Sequence, residues 1–128
     1  MARRNKALGH TTWAFAAGEM PDGSTGHEPE FTSRDELCLL NTGDDDACCQ
    51  LLVFHTDAEP VGPYRVVVPA RRVRQVRINN LIDPQAVPLG VPYALTVTSD
   101  HPVVAQLRHV DTRQAELGVA ITSGLGSD

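Results

Sequence analysis

Along this chain the apolar residues come in short runs rich in β-branched side chains, and no segment sustains the 3.6-residue period of an amphipathic helix. The runs predict strands over residues 11–16, 36–41, 47–55, 64–68, 72–78, 93–99, 103–111 and 117–123. The clearest alternation lies in 93–99. There Tyr93, Leu95 and Val97 fall on one face and Ala94, Thr96 and Thr98 on the other. Residues 47–55 are nearly all apolar, the pattern of a strand buried on both faces, with Cys48 and Cys49 as buried thiols. In 72–78 the apolar phase slips between Val73 and Val76, which predicts a bulge. Residues 115–121 suit a short helix as well as a strand. Between the runs stand turn residues: Thr-Gly-Asp-Asp-Asp at 42–46, Pro63 and Pro69 around the fourth strand, and the Pro- and Gly-rich stretch 19–32. Their recurrence at roughly ten-residue spacing is the mark of a sandwich or barrel. The expected fold is therefore all-β: one antiparallel β-sandwich of jelly-roll type over residues 1–128, with 1–10 and 124–128 as flexible tails.

Composition narrows the function classes. A hydrophobic share of 41% and a charged share of 21% suit one globular domain, large enough to fold without a metal or disulfide staple. The net charge of −5 argues against a broad phosphate-binding surface, although it leaves room for a local basic patch. Three cysteines, two of them adjacent, make a poor disulfide framework and point to a reducing compartment. No signal-peptide pattern follows the basic start and no run approaches a membrane span, so a cytoplasmic protein is expected.

Several motifs recur in one order: Trp13-Ala14 with Gly18 and Pro21; Glu28-Pro29-Glu30-Phe31; Leu39-Leu40-Asn41; and Glu59-Pro60-Val61-Gly62-Pro63-Tyr64. They continue with Val68-Pro69-Ala70-Arg71-Arg72, Arg77-Ile78-Asn79-Asn80-Leu81 and Asp83-Pro84. Ser99, Pro102-Val103-Val104, Gln106 and Asp111-Thr112-Arg113-Gln114 close the pattern. From about residue 11 to 114 the chain thus resembles the sensory rhodopsin transducer family. The resemblance implies a β-sandwich, a homotetramer, and a protein that docks on the cytoplasmic side of a membrane photoreceptor or on another signalling protein. It further implies a small-molecule, sugar-like ligand, and DNA binding as an alternative. The chain departs from the family pattern at Asn80, at Leu107-Arg108-His109 and at His27.

The candidate ligand-binding residues are Trp13, Glu28, Arg71, Arg72, Arg77, Asn79, Gln106, Asp111 and Arg113. Arginine offers a planar fork to carboxylates or phosphates, and the amides offer both donor and acceptor to hydroxyls. Gln106 and Arg108 interrupt an apolar strand, where a buried polar group needs a partner. Two readings stand side by side: a pocket that grips a ligand, or polar groups that pair with one another. For Trp13, packing is favoured over a sugar platform. The five histidines show no metal-ligand spacing, no phosphate loop or nucleophile elbow occurs, and neither metal nor cofactor is expected. An enzyme is accordingly disfavoured. The Arg71-Arg72-x-Arg74-x-x-Arg77 run is the feature a DNA-binding reading would use, yet no aromatic residues interleave it.

Overall fold

One strand organises the molecule. The computed structural model describes residues 6–22, 33–113 and 118–128. In it β6 runs unbroken over Pro92–Asp111. The other strands are β1 (His10–Glu19), β2 (Arg34–Asn41), β3 (Ala47–Phe54), β4 (Val61–Val68), β5 (Arg72–Arg77), β7 (Gly118–Ser123) and β8 (Leu125–Ser127). A single 3-10 turn, Ile78–Asn80, follows β5.

The first half of β6 lies between β3 and β1, giving the leaf β4-β3-β6-β1-β8. Its second half lies between β2 and β7, giving the leaf β5-β2-β6-β7. All pairings are antiparallel. The handover falls at residues 100–103, where Pro102 has no N–H to give to a ladder. The sequence pattern breaks at the same place, which is why it predicts two strands where the fold has one.

Inward positions alternate along every central strand: Leu37 and Leu39 on β2, Leu51 and Val53 on β3, Leu95, Val97, Val103 and Leu107 on β6. They form one apolar core shared by both leaves, so the arrangement is the expected antiparallel sandwich. Each fully buried leucine or valine contributes about 1.5–3 kcal/mol relative to exposure. Asn41 joins the leaves at one end. Its amide donates to the carbonyls of Asp45 (2.8 Å) and Val68 (3.0 Å), and its Oδ1 accepts from the Gly43 N–H.

Several expectations need correction. β3 is half-buried, not buried on both faces: Cys49 is inside but Cys48 is exposed. β5 pairs with β2 without any register shift, so it has no bulge. Its phase is irregular because it is an edge strand exposed on both faces over most of its length. The bulges lie instead in β1 and in the β3–β4 pair. Residues 118–123 are strand, as the pattern over 117–123 predicts, and the helical alternative falls away. Residues 125–127 pair with β1 as β8, and His10 belongs to β1. Most of the 19–32 loop lies outside the described residues.

Candidate interaction surfaces

Residues directly opposite one another on paired strands share a face. On the outer face of the β5-β2-β6-β7 leaf this rule produces three ordered rows. The first is Arg77, Glu36, Arg108 and Ile121; the second is Gln75, Cys38, Gln106 and Ser123; the third is Val73, Leu40 and Val104. The face therefore grades from charged through neutral polar to apolar. Glu36 is its hub. Its Oε1 accepts from Arg108 Nη2 at 3.0 Å and from Arg34 Nε at 3.3 Å, and Arg108 also reaches Gln75 Oε1. Around this network Leu40, Val73, Val119 and Ile121 stay exposed, with Val73 at 65% and Ile121 at 62%. Single apolar residues are ordinary on a surface; exposed ones on both sides of paired charges on one sheet face suit a protein partner.

A second polar cluster is internal. Asp35 is fully buried on β2. Tyr93 donates its hydroxyl to Asp35 Oδ2 at 2.5 Å, and His109 Nδ1 lies 2.8 Å from Oδ1. A carboxylate only accepts, so Nδ1 donates to Asp35, and Nε2 lies 2.9 Å from the Thr122 hydroxyl. This chain links β6, β2 and β7. Burial, then the neighbouring Asp35 carboxylate, push the Tyr93 hydroxyl far above the ordinary tyrosine range. Gly18 makes room for the Tyr93 ring: a Cβ there would lie 2.4 Å from it. Next door, the Ser33 and Thr112 hydroxyls are 3.2 Å apart and both buried.

The eight sequence candidates among the described residues do not gather into one pocket. Trp13 packs on the core and its indole N–H donates to the Val103 carbonyl at 2.8 Å. Arg71 and Arg72 sit at the β4–β5 turn, where Arg71 pairs with Asp44 at 2.8 Å. Arg77 and Asn79 lie at the far end of β5, five residues and about 16 Å of strand away. Arg77 is half-buried and Asn79 donates to the Ser33 carbonyl at 3.1 Å. Asp111 and Arg113 bind each other at 2.6 Å on the surface, and the Arg113 guanidinium holds the Asp111 carboxyl below its usual range. Gln106, expected inside an apolar strand, is exposed in the middle row of the outer face. Glu28 lies outside the described residues. Hollows of about 250, 240 and 350 Å³ are lined by other residues, among them Asp44 and His101, Gln50 and Thr98, and Arg65 and Asp83 respectively.

Glu36, Asp35 and Tyr93 were missed by sequence reasoning. Each occupies an ordinary strand position, and only cross-strand register shows that Glu36 faces two arginines, or that Asp35 lies between Tyr93 and His109. Among the described residues no group of histidine, cysteine and carboxylate side chains is placed to hold a metal ion. No helix among them is long and apolar enough to cross a membrane.

The fold and its surfaces define a small β-sandwich with an ordered outer sheet face and a hydrogen-bonded polar interior. The chain belongs to the Anabaena sensory rhodopsin transducer family, whose sequence model matches residues 8–125. The solved structure of the Anabaena sensory rhodopsin transducer is 43% identical, covers 80% of this chain and 99% of its own, and superposes with a TM-score of 0.74. A crystal structure of Thermotoga maritima 1070 is 28% identical, covers 93% of this chain and 96% of its own, with a TM-score of 0.83. No curated protein matches the chain.

Proposed function

We propose that this protein is a signal transducer that works by docking to a signalling protein, with a membrane photoreceptor as the first partner class, and that it makes and breaks no covalent bonds itself. The observation that carries this reading is the correspondence with the Anabaena transducer along essentially all of that protein's length. The outer face of the β5-β2-β6-β7 leaf supports it. Its charged row fixes orientation by pairing, and its apolar row supplies area that loses water on contact. The homotetramer and the cytoplasmic location implied by the resemblance belong to the same reading.

A small ligand that tunes docking would best be received at the Asn79 end of this leaf. There Asn79 Oδ1 is buried with no hydrogen-bond partner among the described residues. A donor from a hydroxylated ligand would relieve that cost.

The test is calorimetric titration of the chain into a sensory rhodopsin held in lipid nanodiscs. It runs alongside a thermal-shift panel of sugars, sugar acids and phosphates at millimolar concentration. Saturable micromolar binding to the rhodopsin supports photoreceptor docking, and none removes it. A melting shift with one panel class supports the small-ligand site, and a flat panel removes that.

A further inference from the structure

The β5 strand ends its leaf. It pairs with β2 on one side and with nothing among the described residues on the other. An open edge presents unpaired N–H and C=O groups and invites another strand. What distinguishes this edge is its charge. In a chain of net charge −5, four of the eleven lysine and arginine residues stand within the seven positions from Arg71 to Arg77. Arg71 is paired with Asp44. Among the described residues Arg72 and Arg74 bond to main-chain carbonyls instead: Arg72 to its neighbour Arg71, and Arg74 to Val67 on β4 at 2.7 Å. Neither guanidinium has a carboxylate partner among the described residues, and both are exposed.

Strand alternation sorts this edge into two stripes. Arg72 and Arg74 lie opposite Asn41 and Leu39 and share one phase. Val73 and Gln75 lie opposite Leu40 and Cys38 and share the other. A strand laid against β5 would thus meet two unneutralised cations on one side and an apolar-to-polar stripe on the other.

We propose that the β5 edge is a docking site for an extended acidic peptide segment of a partner protein, added as a further strand with acidic residues at alternate positions. The arginines that select this partner also repel a second copy of the same edge, since like charges placed opposite one another destabilise a strand pair. Arg72–Arg77 spans about 16 Å from first Cα to last, enough for a six-residue segment. Nucleic acid could answer the charge, but it has no main-chain ladder to offer the open edge. The proposal stands on this edge alone, so its failure leaves photoreceptor docking untouched.

The experiment uses the full chain and a fluorescein-labelled peptide of sequence Glu-Thr-Glu-Val-Glu-Thr-Glu-Val, read by fluorescence anisotropy. Amide hydrogen exchange is measured over residues 72–77. The expected result is saturable, salt-sensitive binding that slows exchange in those amides. The double substitution Arg72→Glu, Arg74→Glu weakens it at least tenfold, as does replacing the peptide glutamates with lysines. An N-methylated peptide of the same charge, tested on the unaltered protein, also binds at least tenfold more weakly because it cannot complete a ladder. The proposal is overturned by no binding, by equal binding of the N-methylated peptide, or by a twenty-base-pair DNA duplex that outcompetes the peptide. It also falls if the amides of β5 that point away from β2 are already protected in the protein alone, since the edge would then be occupied by another copy.

Discussion

The two polar regions of this sandwich differ in what surrounds them. Around Asp35 every group faces another: Tyr93 and His109 take the two carboxylate oxygens, and Thr122 takes the far side of the imidazole. Along β5 the arginines Arg72 and Arg74 stand in solvent and, among the described residues, reach only main-chain carbonyls. Around Asp35 the pairing is part of the fold, because an unpaired buried polar group costs more than the bond contributes. The edge carries no such obligation, since water can solvate whatever the protein leaves unmatched. Interior polarity here is thus part of the fold, and surface polarity is what remains for recognition.

Substitutions should separate the two regions by size of effect. Asp35→Ala leaves the Tyr93 hydroxyl and the His109 N–H buried without acceptors, and is expected to cost about 3–5 kcal/mol in urea unfolding. A loss below about 1 kcal/mol would mean the network is not buried as described. Gly18→Val drives a side chain into the Tyr93 ring and should cost about 1–3 kcal/mol or more by overpacking.

Tyr93→Phe removes one hydrogen bond to a charged group, about 1.5–3 kcal/mol, and also changes the response to pH. The folded protein holds the Tyr93 proton more tightly than the unfolded chain does. That contribution is fully present below about pH 10, the ordinary tyrosine value, and is lost as pH rises above it. Unfolding followed from pH 9 to 11 should therefore show a steeper fall in stability for the unaltered protein than for Tyr93→Phe. Parallel curves would contradict the network.

The smallest effects belong to the edge. Arg72→Glu and Arg74→Glu should each leave stability within about 0.5 kcal/mol, since neither breaks an ion pair. Thiol labelling gives a further contrast between exposed and buried positions. Cys48 should react readily, whereas Cys49, whose thiol is raised by burial, should wait for unfolding.

The fold was legible because each core strand carries its own alternation, and that needs only local sequence. Leu95 and Val97, or Leu37 and Leu39, announce an inward face without reference to anything distant. The register was not legible, and the candidate surfaces depend on it. Gln106 reads as buried because its neighbours Ala105 and Leu107 are apolar, yet alternation sends those two inward and Gln106 out. Asp35 falls just before the strand predicted over 36–41, and only pairing with β6 sets it opposite His109. The arginine run was visible as charge. That it lines an open edge, with two of its members lacking a carboxylate partner among the described residues, could be seen only once β5 was placed beside β2.

The central claim is that recognition by this transducer-family protein occurs on its outer sheet face while the buried polar network stays part of the fold. Amide chemical-shift mapping during titration with a sensory rhodopsin in nanodiscs tests it most directly. The account predicts perturbations grouped on Leu40, Val73, Gln75, Gln106 and Arg108, with Asp35, Tyr93 and Thr122 unmoved. Perturbations centred on the buried network, with the outer face silent, would contradict it.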